Sequence, residues 1–331
     1  MHVQKCQGPP ELYGIFEIHF SDLEIQAQAL LNDGISSSTR ATYSGPQKVY
    51  IAFCRTFSLQ SLPASDDTFR LFITHLFNKG LSFNTIKLYV SAIISLHTFS
   101  GVPPPNLKNP KFRLMMRSIA QKCQGHGQKS PLTMKLLRSI WSSIGNMPEA
   151  KCLCAAVTLG FFGGLRGAEY LASRFSQGPK MSQLTFINKA FMKFKVTKSK
   201  TKKSGFTKHY HCSRDTICAV CCMIEYLSYI DIPPSNNQPL FCYKGKTLSK
   251  SIFNSILKQA VKSIGRDPTK YSIHSLRSGM ATTAACNQFE DWEIKKLGGW
   301  VSNSYLTYIR INPLNSKRFS QRLTTRQAPR W

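Results

Sequence analysis

The chain has 331 residues, 42% of them hydrophobic, which is enough for a packed core in two domains and too apolar for wholesale disorder. Lys and Arg number 44 against 16 Asp and Glu, a formal charge of +28 that is costly to compact without a polyanion nearby and so points to nucleic acid. The 11 Cys are odd in number and irregularly spaced, and no apolar run approaches the ~20 residues of a membrane span, which argues against a disulfide scaffold and a membrane protein and for an intracellular protein with reduced thiols.

The few acids are unevenly placed. Glu11, Glu17, Asp22, Glu24 and Asp33 precede Gly34 with Lys5 as the single Lys or Arg among them. No acid lies between Asp67 and Glu149, between Glu169 and Asp215, or after Glu293. Those three stretches carry basic residues throughout, as surfaces that track phosphates do. Two-metal nuclease chemistry needs clustered carboxylates, and this distribution argues against it.

In chain order, residues 1–34 read as an acidic, weakly structured leader. A helix starts in Ser36-Ser37-Ser38-Thr39, a run of N-cap residue types, and continues through Tyr50 and Phe53. A second begins near Ser65-Asp66-Asp67 and stops at Gly80. A third spans about Asn84–Thr98, with Ile86, Val90, Ile93, Ile94 and His97 on one face. Pro103-Pro104-Pro105 breaks the chain, a basic helix follows around Arg113–Gln121, and residues 125–131 look like an interdomain linker. Beyond it, helices are expected at 133–145, 149–162, 216–230, 248–264, 275–286 and 290–297. Phe186–Val196 and Phe206–Cys212 read as two strands joined by a Lys-rich turn. The outline is a helical domain over 35–124 and a mainly α domain with a small β-sheet (α+β) over 132–331.

Five short motifs carry possible chemistry, and each by itself has an ordinary structural reading. Gly164-Leu165-Arg166 followed by Glu169 is a corner with an ion pair, or an Arg set to hold a phosphate. Lys195 to Gly205 is a solvated basic turn or a nuclear localisation signal, or a hairpin whose tip lays one Lys beside a scissile phosphate. His274-Ser275-Leu276-Arg277 is a common helix start, Gly298-Gly299-Trp300 a helix end, and Tyr305 and Tyr308 resemble core aromatics.

Their order gives them weight. Gly-Leu-Arg166-x-x-Glu169, Ser199-Lys200-Thr201, His274-x-x-Arg277, Leu297-Gly298-Gly299-Trp300 and Tyr308-Ile309-Arg310 together resemble the tyrosine recombinase (integrase) family. Upstream, Ser37-Ser38-Thr39-Arg40-Ala41-Thr42-Tyr43 and Asn84-Thr85-Ile86-Lys87-Leu88-Tyr89 resemble that family's helical, SAM-like core-binding domain. The wording, including Asp215-x-x-Cys218 at a helix start, is most like recombinases of eukaryotic mobile elements of the DIRS-like and Crypton kind.

The resemblance implies a nuclear enzyme that cleaves and rejoins double-stranded DNA through a covalent 3′-phosphotyrosine, as a homo-tetramer on DNA, in the integration of a mobile element. Tyr308 would be the nucleophile, Arg166 and Arg277 would clamp the phosphate, Lys200 would protonate the leaving 5′ oxygen, and His274 would help deprotonate Tyr308. Trp300 would donate an indole N–H, and Glu169 would brace the pocket. Thr39, Arg40, Tyr43, Thr85, Lys87, Lys198, Lys202, Lys203 and Arg310 would contact DNA. No cofactor, metal, membrane or small-molecule substrate is called for.

Two choices stay open. Tyr305 competes with Tyr308, which lies eight residues after Trp300 where relatives often have nine, and Lys198 competes with Lys200. The alternative function is a transposon-derived DNA-binding protein that no longer cuts. His209, His211, Cys212, Cys218 and Cys221 form a rival, zinc-like constellation. It is set aside because Cys218 and Cys221 fall in an expected helix with no second Cys pair nearby.

Overall fold

The computed structural model describes residues 20–123, 129–144, 148–174, 176–197, 199, 204–230 and 237–310. The chain divides into two units, 1–126 and 127–331.

The first unit is helical. Within the stretch read as a weakly structured leader, Phe20–Asp33 form helix α1, which buries no side chain and leaves Phe20, Ile25 and Leu30 in solvent. Then come α2 (Ser37–Thr56), α3 (Asp66–Asn78), α4 (Phe83–Phe99) and α5 (Pro110–Lys122). Helices α2, α3 and α4 begin in the same way. The hydroxyls of Ser36, Ser65 and Ser82 accept the backbone N–H of Thr39, Thr68 and Thr85, each satisfying a donor that the first helical turn leaves orphaned.

The helices bury Tyr50, Phe53, Phe69, Phe72, Ile73, Leu76, Ile86, Ile93 and Phe112 in one core. Each fully buried apolar side chain there contributes roughly 1.5–3 kcal/mol. The expected face of α4 is the one that packs, with Ile86, Val90, Ile93 and His97 buried. Both ring nitrogens of His97 are hydrogen-bonded. Its Nδ1–H donates to the Ile93 carbonyl (2.8 Å), and Nε2 accepts the Ala64 amide (2.9 Å).

The second unit is mainly helical around a small antiparallel sheet. It comprises α6 (Met134–Ile144), α7 (Pro148–Phe162), α8 (Gly167–Tyr170), β1 (Leu184–Asn188), β2 (Phe191–Val196), β3 (Phe206–His211) and α9 (Ala219–Tyr229). These are followed by β4 (Cys242–Tyr243), β5 (Lys246–Thr247), α10 (Lys250–Ser263), α11 (Ile273–Cys286) and α12 (Asp291–Gly298). A 3-10 turn, Asn303–Thr307, ends the described chain's regular structure. The apolar α7 lies among α9, α10 and α11, so it is hydrophobic all round. Lys129–Pro131, read as linker, border this unit: the amides of Ser130 and Leu132 donate to the carbonyls of Lys270 (2.7 Å) and Ser275 (2.8 Å).

Two local expectations need correction. The single strand expected over Phe186–Val196 is a hairpin, β1 and β2, in a sheet of order β1-β2-β3. Asn188 makes the difference, because its side-chain oxygen accepts the Ala190 amide (2.8 Å) and turns the backbone. The helix expected from 216 starts only at Ala219. Asp215 Oδ1 caps the Ile217 amide (3.0 Å) in a turn of its own, and Cys218 stays extended as the N-cap.

Candidate active site

Three of the five motifs meet through backbone carbonyls and one buried guanidinium. Arg277, on the first turns of α11, is 2% exposed. Its Nη1 donates to the Gly164 carbonyl and its Nη2 to the Gly298 carbonyl (2.6 Å). It thereby ties the corner before α8 to the end of α12. Burial, and then the neighbouring Arg166 cation, pull its pKa down to about 10. Its Nε has no hydrogen-bond partner among the described residues.

The Trp300 ring lies against this guanidinium, 4.2 Å from centroid to Cζ. The two glycines before Trp300 have different tasks. Gly299 is left-handed (φ 63°) and closes α12 as its C-cap. A Cβ on Gly298 would run into the Trp300 ring, so only a glycine lets the indole fold back over the chain.

The two candidate tyrosines differ in access. Tyr305 is 1% exposed in the core beside Trp300, and a hydrogen bond to the Asp291 carboxylate, with burial, raises its hydroxyl pKa. Tyr308 is half-buried, with its ring 5.2 Å from Trp300 and 5.6 Å from the Arg277 Cζ. It opens onto a cleft of about 310 Å³ lined also by Lys129, His274, Ser278, Thr307 and Arg310. Three apart on α11, His274 is exposed and Arg277 buried, yet both face Tyr308.

Arg166 caps the short α8 and lines a neighbouring cleft with Thr207, Lys208 and Lys296. Glu169, 6% exposed, holds it in place. One carboxylate oxygen accepts the Arg166 amide (2.7 Å), and the other accepts Arg166 Nη1 (3.2 Å) and the Ser199 hydroxyl (2.8 Å). Ser199 thus hooks the basic turn onto the Arg166 corner. Lys198, Lys200, Lys202 and Lys203 lie outside the described residues, as does Thr201.

Two further positioning residues escaped the motif reading. Thr282, one turn beyond Arg277's neighbourhood on α11, bonds the backbone at both Tyr308 and Arg310. Lys208 of β3 donates to the Leu297 carbonyl at the end of α12. A lone Thr in a helix and one Lys among many carry no sequence signal of such roles.

Among the expected DNA contacts, Thr39 and Thr85 also engage the capping serines through their hydroxyls, at 2.8 Å in each case. Arg40 is exposed and its guanidinium donates to the Asn32 carbonyl; Tyr43 lines a groove with Gln47, Leu96 and Phe99. Lys87 is exposed, with its ammonium 5.7 Å from the Phe83 ring centroid. Arg310 is half-buried and donates to the carbonyls of Thr307 and Ile309.

The zinc-like constellation assembles only in part. His209 and His211 both flank Phe191 on the sheet, with His211 stacked on it at 4.4 Å. Cys212, Cys218 and Cys221 instead converge, although in sequence Cys218 and Cys221 fall in an expected helix with no second Cys pair nearby. As N-cap and third helical residue, Cys218 and Cys221 project to the same side of the first turn.

No family model matches the chain. It is 25% identical over 277 residues to an integrase/recombinase xerD homolog of Selenomonas ruminantium, covering 80% of this chain and 78% of that protein. It is 23% identical over 286 residues to the recombinase cre of Escherichia phage P1, covering 79% and 80%. Among solved structures, it superposes on the XerH site-specific recombinase bound to difH substrate with a TM-score of 0.63, at 17% identity over 91% of this chain and 83% of that one. The Tn1549 transposon integrase bound to transposon end DNA gives 0.62 at 15% identity over 91% and 99%. The mainly α fold with a small antiparallel sheet is therefore that of tyrosine recombinases. Along most of its length the chain is thus similar in sequence to an integrase/recombinase and a recombinase, and similar in fold to solved structures of that kind.

Proposed function

We propose that this protein is a site-specific DNA recombinase that cuts and rejoins duplex DNA through a 3′-phosphotyrosine on Tyr308. The observation that carries the reading is the half-buried Tyr308 ring beside the Trp300–Arg277 stack, with the competing Tyr305 buried and its hydroxyl bonded to Asp291. Support also comes from the DNA complexes of the XerH and Tn1549 proteins that share its fold.

The chemistry follows from the side chains. A phosphodiester bound at these clefts would set a non-bridging oxygen against Arg166, with the buried Arg277 guanidinium adding positive charge behind Tyr308. Guanidinium donors in a dry site stabilise charge growing on the phosphorane oxygens. The Tyr308 oxygen attacks phosphorus, and its proton passes to His274, which lines the same cleft. The phosphorus–O5′ bond breaks as Lys200 on the basic turn protonates O5′. Attack by a 5′ hydroxyl on the phosphotyrosine reverses the sequence, so rejoining consumes no ATP and needs no catalytic metal. In this reading Glu169 braces Arg166 and Trp300 covers Arg277.

The wider reading is a homo-tetramer on DNA, acting in the nucleus in the integration of a mobile element of the DIRS-like or Crypton kind. Residues 35–124 would be the core-binding domain and 132–331 the catalytic domain. The deciding experiment is covalent trapping on nicked suicide DNA in magnesium-free buffer. Wild type and Tyr305→Phe are expected to form a denaturation-resistant adduct, and Tyr308→Phe none. An adduct lost only in Tyr305→Phe would move the nucleophile. Salt-sensitive DNA binding with no adduct in any protein would establish a DNA-binding protein that does not cut.

A further inference from the structure

The sulfurs of Cys212, Cys218 and Cys221 form a cluster that the proposed strand transfer does not use. Cys212 Sγ lies 3.5 Å from Cys221 Sγ and 3.7 Å from Cys218 Sγ, and all three sulfurs fall within 4.8 Å of one another. A tetrahedral zinc ion with Zn–S bonds of about 2.3 Å holds its thiolates about 3.8 Å apart. The two separations from Cys212 are thus those along the edges of such a tetrahedron. They are reached without a disulfide, each of the three thiols being free.

The Ser213 amide donates to Cys218 Sγ (3.4 Å), and all three side chains meet at the N-terminus of α9. Cys218 is buried, while Cys212 and Cys221 are half-buried, so the fourth corner of the tetrahedron faces outward. His211 does not supply that corner, since its ring is stacked on Phe191.

We propose that Cys212, Cys218 and Cys221 bind one zinc ion as a structural clamp, with water in the fourth position. The clamp joins the end of β3 to the start of α9. Because β3 pairs along its whole length with β2, it anchors the root of the hairpin whose other end leads into the basic turn and Ser199. It takes no part in the reaction, and it stands whether or not the protein cuts DNA.

The test uses the full chain purified under a non-thiol reductant. Metal analysis is expected to find about one zinc per chain in wild type and in Cys286→Ser, which alters an exposed cysteine outside the cluster. Cys212→Ser and Cys221→Ser are expected to fall to background. Cobalt(II) added to metal-stripped wild type should give intense near-ultraviolet sulfur-to-metal bands and protect these three cysteines alone from alkylation. These wild-type readouts hold even if a Ser variant misfolds. Zinc below a tenth of an equivalent with no cobalt–thiolate bands would overturn the proposal. So would zinc retained in a Cys212→Ser/Cys221→Ser double variant, or a Cys212–Cys221 disulfide in the freshly purified protein.

Discussion

The Thr282 hydroxyl donates to the Tyr308 carbonyl at 3.3 Å and accepts the Arg310 amide at 3.0 Å. One side chain on α11 therefore fixes the backbone on both sides of Ile309, just after the 3-10 turn that carries Tyr305. The helix that buries Arg277 also positions Tyr308. Thr282→Val keeps the shape and removes both bonds, leaving the Arg310 amide without its acceptor. Stability should fall by about 1 kcal/mol, read by chemical denaturation. Adduct formation should slow roughly 10- to 100-fold, because small misplacements of a nucleophile are expensive. DNA affinity should stay unchanged.

Gly298 tests the packing around Arg277. Gly298→Ala places a methyl where the Trp300 ring lies and must push the indole away from the guanidinium. Single-turnover cleavage is expected to drop on the order of 100-fold, with Trp fluorescence shifted toward the exposed indole. Unchanged cleavage would show that the Trp300–Arg277 stack is not required.

Ser199 is the described residue that ties the basic turn to the Arg166 corner, through Glu169 Oε1 at 2.8 Å. Ser199→Ala should slow cleavage roughly tenfold by loosening the turn. A bridging 5′-thio substrate, whose leaving group needs no proton, should show little difference between variant and wild type. An equal defect on both substrates would place Ser199 in general folding and not in positioning the turn.

Asp66 links the start of α3 to the loop before α5. Its carboxylate accepts the Asn109 side chain (2.8 Å) and the Asn106 amide (3.0 Å), which hold its pKa below the ordinary 3.8. A carboxyl with a lowered folded-state pKa contributes stability above its unfolded value and loses it as pH falls through the folded one. Asp66→Asn should therefore be less stable than wild type at neutral pH, with the gap closing below about pH 4. Denaturation midpoints across that range measure it.

Much of this protein is legible in one dimension because local chemistry settles it. Ser36, Ser65 and the residues near Asn84 announce helix starts through hydroxyls that cap amides within three residues. The spacing of Ile86, Val90, Ile93 and His97 marks a core face through helical period alone. The order of the Arg166, Arg277, Trp300 and Tyr308 motifs survives as a linear pattern although each is weak by itself.

What only the tertiary structure decides depends on contacts between residues far apart in the chain. Tyr305 and Tyr308 are alike in sequence, and burial beside Trp300 separates them. Arg277 reaches the Gly164 and Gly298 carbonyls across segments that no local rule connects. Cys212 meets Cys218 and Cys221 because Asp215 delays the helix to Ala219, turning a helix interior into an N-terminus. Propensity and period act over a few residues, whereas access to solvent and convergence of side chains exist only once the chain has closed on itself.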